Sequence, residues 1–221
     1  MKNPVFKPHI YSTAEIQALA GKAGDISPRD PLRGETLKTL FVLLYITGLR
    51  IGEALALNLE DYQKGHHLFI RKAKFHKQRL VPITRSTASA LESYMDKRCK
   101  TSLPSSHDPL FVLKGNQRLS YSVAYSAFRS LLGLSGIYTG VDRAPRIHDF
   151  RHSFAVTRLL QAYREDEDPN SLLPALSTYM GHVDITSTQV YLHTTPELWE
   201  EANKQFLTYF RTHVLGSGGE R

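Results

Sequence analysis

The sequence predicts a mainly α-helical fold with a small antiparallel β-sheet, and three observations lead there. Apolar residues recur at spacings near 3.6 through most of the 221 residues. Two short β-rich runs, Leu68–Lys74 and Arg79–Thr84, lie close enough to pair as a hairpin. The Pro/Ser/Gly-rich breaks at Thr101–Pro109 and Gly133–Pro145 are each about a dozen residues and flanked by segments that need one another's apolar faces, so one domain is expected.

The elements follow in order. Ser12–Ala23 opens with a cap-like Ser-Thr-x-Glu entry and places Ile16 and Leu19 one helical turn apart; the turn-rich Gly24–Gly34 follows as a loop. Glu35–Thr47 is a strongly apolar helix, and Gly48 stands where a left-handed C-cap belongs. A second helix starts near Arg50, with Ile51, Ala54, Leu55 and Ala56 packing inward. After the hairpin, Thr87–Arg98, Ser120–Leu132, Asp149–Tyr163 and Pro196–His213 show helical spacing, and Gly216–Arg221 is a flexible end with no helix to carry a phosphate loop. Residues 1–8 are expected as an N-terminal tail, 9–213 as the folded domain and 214–221 as a C-terminal tail.

Composition excludes several classes of function. A single cysteine, Cys99, supports neither an internal disulfide nor a thiolate zinc site, which suits a reducing compartment. The longest apolar run, Leu40–Ile46, is too short to span a bilayer, and Met1–Ile10 does not read as a signal peptide. Lys plus Arg number 28 against 21 for Asp plus Glu, a net charge of +7 that favours polyanionic partners.

Several short motifs carry chemistry. His148-Asp149-Phe150-Arg151 opens a predicted helix, and the spacing of three sets His148 and Arg151 on one face near its positive end, where a phosphate is well held. A rival pairing of His148 with His152 as metal ligands, with Asp149 as base, lacks a third ligand at the expected spacing and would set Arg151 beside the cation; no metal is expected. Thr47-Gly48-Leu49-Arg50-Ile51-Gly52-Glu53 is a capped helix end leading into another helix. Gly181-His182 precedes Tyr191 by nine residues counted from the histidine.

Together these segments resemble the tyrosine recombinase, or phage integrase, family, over about residues 9–210 and in the family's order. The resemblance implies a single catalytic domain of that type with Arg50 as first arginine, supported by Glu53, His148 and Arg151 as the second pair, His182 as a further histidine and Tyr191 as nucleophile. The hairpin lysine falls on Lys74 by counting back from Arg79-Leu80-Val81-Pro82; the turn Phe75-His76-Lys77-Gln78 has no glycine, so Lys72 and Lys77 stay open. The implied reaction is metal-free and cofactor-free site-specific recombination or integration through a 3′-phosphotyrosyl link, in a cytoplasmic, nucleoid-associated protein of a mobile element. A DNA-binding accessory protein, or a relaxing enzyme like type IB topoisomerases, remain as alternatives. The partners implied are double-stranded DNA, with no membrane, and other protomers through the terminal helix, whose stripe Leu198, Trp199, Ala202, Phe206, Tyr209 and Phe210 docks either in cis or in trans. Lys77, Arg79, Tyr125 and Arg129 are the expected DNA contacts.

Two departures from the family pattern stand out. Arg164–Asn170 is an acidic insertion resembling the longer form in some transposon-borne members. The resemblance also begins without the usual core-binding domain, so the chain is expected to be a minimal recombinase, one of a cooperating set, or a piece of a longer protein.

Overall fold

The computed structural model describes residues 8–63, 66–71, 78–99, 105–138, 144–165 and 168–181. Helix α1 (Thr13–Lys22) begins with the anticipated box: Glu15 N–H donates to Ser12 Oγ at 3.2 Å, and Ser12 N–H donates to Glu15 Oε2 at 2.7 Å. A 3₁₀ turn, Ala23–Ile26, follows. Helix α2 (Pro31–Thr47) starts four residues before the expected Glu35, because Asp30 caps it through a 3.2 Å bond from Arg33 N–H and Pro31 occupies its first turn. What reads as turn chemistry in the sequence is helix-start chemistry.

Helix α3 (Ile51–Ala56) is short, and its burial departs from the expected pattern: Ala56 is exposed, Ile51 is half-buried and Glu53 is buried beside Ala54 and Leu55. A buried carboxylate in a six-residue helix needs charged partners. Strands β1 (Tyr62–Gln63), β2 (His67–Ile70) and β3 (Arg79–Pro82) form an antiparallel sheet in that order, with Leu68 opposite Val81 and Ile70 opposite Arg79. The anticipated hairpin is therefore present with a third, two-residue strand added. A second small sheet pairs β4 (Val112–Leu113) with β5 (Gln117–Arg118), both too short for a period-2 signal.

Helices α4 (Arg85–Cys99), α5 (Tyr121–Leu134) and α6 (Asp149–Arg164) extend the expected segments by one or two residues at one or both ends, and Ser120 caps α5 through Val123 N–H. Helix α7 (Pro169–Met180) is an element the sequence reading does not anticipate. Residues 196–213, expected as the terminal helix, lie outside the described residues.

The chain forms two compact units, His9–Phe154 and Ala155–Arg221 with Met1–Pro8. The larger is centred on α2, whose Leu37, Leu40, Phe41, Leu43 and Leu44 are buried. Phe41 of α2, Phe128 of α5 and Phe150 of α6 form an aromatic triangle with ring centroids 5.6–6.0 Å apart, and Tyr11 adds a fourth ring 4.6 Å from Phe150. Phe150 sits between His148 and Arg151 in the chain, so this cluster pins the first turn of α6. In the second unit, Val156, Leu159, Ala162, Leu173, Leu176 and Met180 are buried.

Candidate active site

The site is built around Gly48. Its φ of +62° ends α2 in the left-handed region, with its N–H bonded to Leu44 O at 3.0 Å. Thr47 closes the same turn, donating its hydroxyl to Leu43 O at 2.6 Å. A Cβ added at Gly48 would lie 2.5 Å from Cδ1 of Phe154, so glycine is required both by conformation and by contact. Two residues on, Arg50 takes an extended conformation as N-cap of α3.

Arg50 and Gly48 connect this elbow to two other elements. Arg151, 1% exposed, donates Nη1–H to the Gly48 carbonyl at 2.7 Å, so α6 is fastened to the end of α2. Glu53 accepts from Arg50 N–H at 3.0 Å and from Arg50 Nη1 at 2.9 Å. It also accepts from Arg79 Nη1 at 3.1 Å and Nη2 at 2.9 Å. Burial alone would raise the Glu53 carboxyl; the hydrogen bonds and charges of Arg79 and Arg50 outweigh it and hold its pKa below the ordinary value.

His148 precedes α6, and Arg151 N–H bonds its carbonyl at 3.1 Å. Its pKa is lowered, first by loss of hydration and then by the Arg151 and Arg146 charges, with Arg50 adding to the effect and Asp149 opposing it. The lowered pKa favours the neutral imidazole, the form that can accept a proton. His152, its ring 5.0 Å from that of His148 and edge-on, is pushed down to about 4, again chiefly by burial and then by His148. Asp149 accepts from Arg146 through the backbone N–H at 2.8 Å and through Nε and Nη2. This carboxylate is engaged with Arg146. Among the described residues no group of three or more His, Cys, Asp or Glu is placed to hold a metal.

Arg50 and Glu53 are thus paired beside Gly48, Arg151 is bonded to the Gly48 carbonyl, and His148 lies one turn ahead of Arg151, within the influence of both arginine charges. Arg79 does not face outward as an expected DNA contact: it is 13% exposed and grips Glu53 with both ends of its fork. Tyr125 and Arg129 lie on the exposed face of α5; Tyr125 stacks with Tyr121 at 6.0 Å, and the Arg129 guanidinium lies 5.3 Å over the Tyr138 ring. Lys72, Lys74, Lys77, His182 and Tyr191 lie outside the described residues. Gly181, immediately before His182, adopts φ +66° at the end of α7. Sequence reasoning misses Arg146 as an electrostatic neighbour of His148 and places His152 beside His148 only as a rival metal ligand; the Arg-x-x-Asp spacing ahead of the helix is the signal that could reveal Arg146.

With this geometry in view, comparison with known proteins is decisive: the Phage integrase family matches residues 24–197, well over half of the sequence. The chain belongs to the phage integrase family. One member, a Sinorhizobium fredii protein named as integrase/recombinase y4rB, is 38% identical over 205 residues, covering 90% of this chain and 65% of its own length. This chain therefore spans somewhat less than two thirds of that relative. Among solved phage integrase relatives, XerA recombinase superposes with a TM-score of 0.67 at 23% identity, covering 93% of this chain and 65% of the other. The XerH site-specific recombinase, solved bound to a palindromic difH substrate as a post-cleavage complex, gives 0.67 at 20% identity, covering 90% and 53%. At those identities the likeness establishes the fold alone: mainly α with small antiparallel sheets, like that of these recombinases. Among the described residues, no helix is long and apolar enough to cross a membrane.

Proposed function

We propose that this chain cleaves and rejoins double-stranded DNA as a site-specific recombinase or integrase of a mobile element. The observation that carries the reading is the elbow itself: Arg151 bonded to Gly48 O at 2.7 Å and Arg50 bonded to Glu53 at 2.9 Å, with His148 at the start of α6, where burial and the Arg151, Arg146 and Arg50 charges lower its pKa. Such a cluster suits a phosphodiester: the arginines neutralise the nonbridging oxygens as charge shifts in the transition state, and the imidazole takes a proton.

In this mechanism Tyr191 Oη attacks the phosphorus and its proton passes to His148. The bond to the 5′-oxygen breaks, Lys74 protonates that leaving oxygen, and a 3′-phosphotyrosyl link keeps the bond energy for religation by the reverse steps. His182 adds a hydrogen bond to the nonbridging oxygen. The net charge of +7 favours DNA, with Tyr125 and Arg129 of α5 as contacts, and further protomers join through residues 196–213. The solved XerH complex with its difH substrate supports DNA as the partner class.

The test is a suicide-substrate assay. Nicked duplexes taken from the sequence flanking the gene are incubated with the full chain in EDTA and run on a denaturing gel beside Tyr191→Phe. A protein–DNA adduct in the wild type alone is the expected result. Ordinary DNA binding with no adduct, on these and on generic nicked duplexes, would replace this reading with that of an accessory DNA-binding protein.

A further inference from the structure

Glu53 is a carboxylate with all its acceptor capacity in use. A carboxylate offers about four lone-pair sites. Arg50 N–H and Arg79 Nη2 take Oε2 at 3.0 and 2.9 Å; Arg50 Nη1 and Arg79 Nη1 take Oε1 at 2.9 and 3.1 Å. The side chain is 4% exposed, so water does not compete for these sites. Arg79 reaches it from β3, opposite Ile70 on the buried side of the sheet. The outcome is a division of labour: Arg79 holds both oxygens, and Arg50 gives Glu53 one guanidinium bond.

We propose that Arg79 is a positioning residue for Arg50: by occupying both Glu53 oxygens it prevents Arg50 from closing bidentate onto that acid, and it fastens β3 to the Arg50 elbow. The idea rests on the strand-transfer reading, in which Arg50 addresses phosphate. Remove Arg79, and a buried carboxylate with two vacant sites stands beside a guanidinium whose geometry fits both oxygens. Arg50 then turns toward Glu53 and away from the scissile phosphate. Lysine cannot substitute, because a single ammonium does not occupy two oxygens in the plane of the carboxylate.

The test measures adduct formation at saturating nicked duplex for the full-length wild type, Arg79→Gln, Arg79→Lys, Glu53→Gln and the double variant Arg79→Gln/Glu53→Gln, with Tm and the salt dependence of DNA affinity recorded for each. Arg79→Gln is expected to slow adduct formation by about 10²-fold, the scale of an ångström-level misplacement, with an unchanged salt slope. The double variant should be faster than Arg79→Gln, by on the order of 10-fold, since it removes the acid that captures Arg50. Arg79→Lys should remain slow while binding DNA normally, and it keeps the test informative should Arg79→Gln fold poorly. A normal rate at saturating DNA, with a salt slope lower by about 1, would make Arg79 a phosphate contact and overturn the proposal. So would losses in the double variant that multiply, the mark of a purely structural role. Absence of adduct in the wild type would instead refute the strand-transfer reading. The Arg79–Glu53 pairing is then judged by Tm alone: losses for Arg79→Gln and Glu53→Gln that overlap, each about 2–4 °C, uphold it, and losses that add overturn it.

Discussion

The two arginines at the elbow are held in opposite ways. Arg151 is buried and donates to a neutral backbone carbonyl, Gly48 O, 103 residues away in sequence. Arg50 is 25% exposed and pairs with a carboxylate three residues on, one already shared with Arg79. Arg151 is the foremost charge acting on His148, and Arg50 a lesser one. One arginine is thus part of the framework and the other is adjustable, so stability and chemistry should separate between them.

The sharpest way to break the comparison is at the residue that joins them. Gly48→Ala should destabilise the protein by about 4 kcal/mol, combining the left-handed cost of an L-residue with overpacking against Phe154. Urea unfolding measures it. Adding Phe154→Leu should recover the steric part alone; full recovery would show that the backbone conformation is not the constraint.

Next in size, Arg151→Met should cost about 2–3 kcal/mol, because it strips a buried carbonyl of its donor. Arg50→Met should cost about 1 kcal/mol, since Arg79 continues to neutralise Glu53. Both should abolish adduct formation. Equal stability losses in the same urea experiment would erase the distinction between framework and adjustable arginine.

Acid separates the two halves by pH. His152 has a folded-state pKa lowered from 6.5 to about 4, and that of His148 is lowered as well, so the unfolded chain binds the extra protons first. Stability is full above about 6.5 and falls as pH drops from there toward about 4. Glu53, also lowered, contributes stability that is complete above its unfolded value of 4.5 and is lost as pH falls through its folded value. A pH series of urea midpoints should therefore show a histidine phase, flattened by His152→Phe, above a carboxylate phase flattened by Glu53→Gln. Merging of the two phases would refute the assignment.

Smallest is Arg129→Gln on α5, an exposed position whose change should leave stability within about 0.5 kcal/mol. The salt slope of DNA binding should fall by about 1, and an unchanged slope would remove Arg129 from the interface.

What was legible in the sequence was local. The Gly48 cap, the Arg50/Glu53 pair, the hairpin and the start of α6 are each encoded within a few residues, where spacing and capping chemistry act. The Asp30-Pro31 start of α2 was present but ambiguous, since the same residues serve turns. What escaped notice was distant pairing. Arg79 meets Glu53 across 26 residues, and its position among basic hairpin residues reads as a surface cation until the fold turns it inward. The burial of Glu53 was equally hidden, because apolar periodicity favours Ala56 at a face that ion pairing claims instead.

Helix α3 also has consequences for the order of events during synthesis. It is six residues long, too short to persist alone. Its carboxyl end is closed by Arg118 of β5, which donates to Leu55 O at 2.7 Å and Leu57 O at 3.2 Å, 63 and 61 residues upstream, and to the Asn58 side chain. Until residue 118 has left the ribosome, the carboxyl end of the helix that presents Arg50 lacks this clasp, although Glu53 can already pair with Arg50 and Arg79. The elbow therefore matures late, through a contact of high sequence separation, and a nascent or truncated chain lacks the arrangement that would engage DNA.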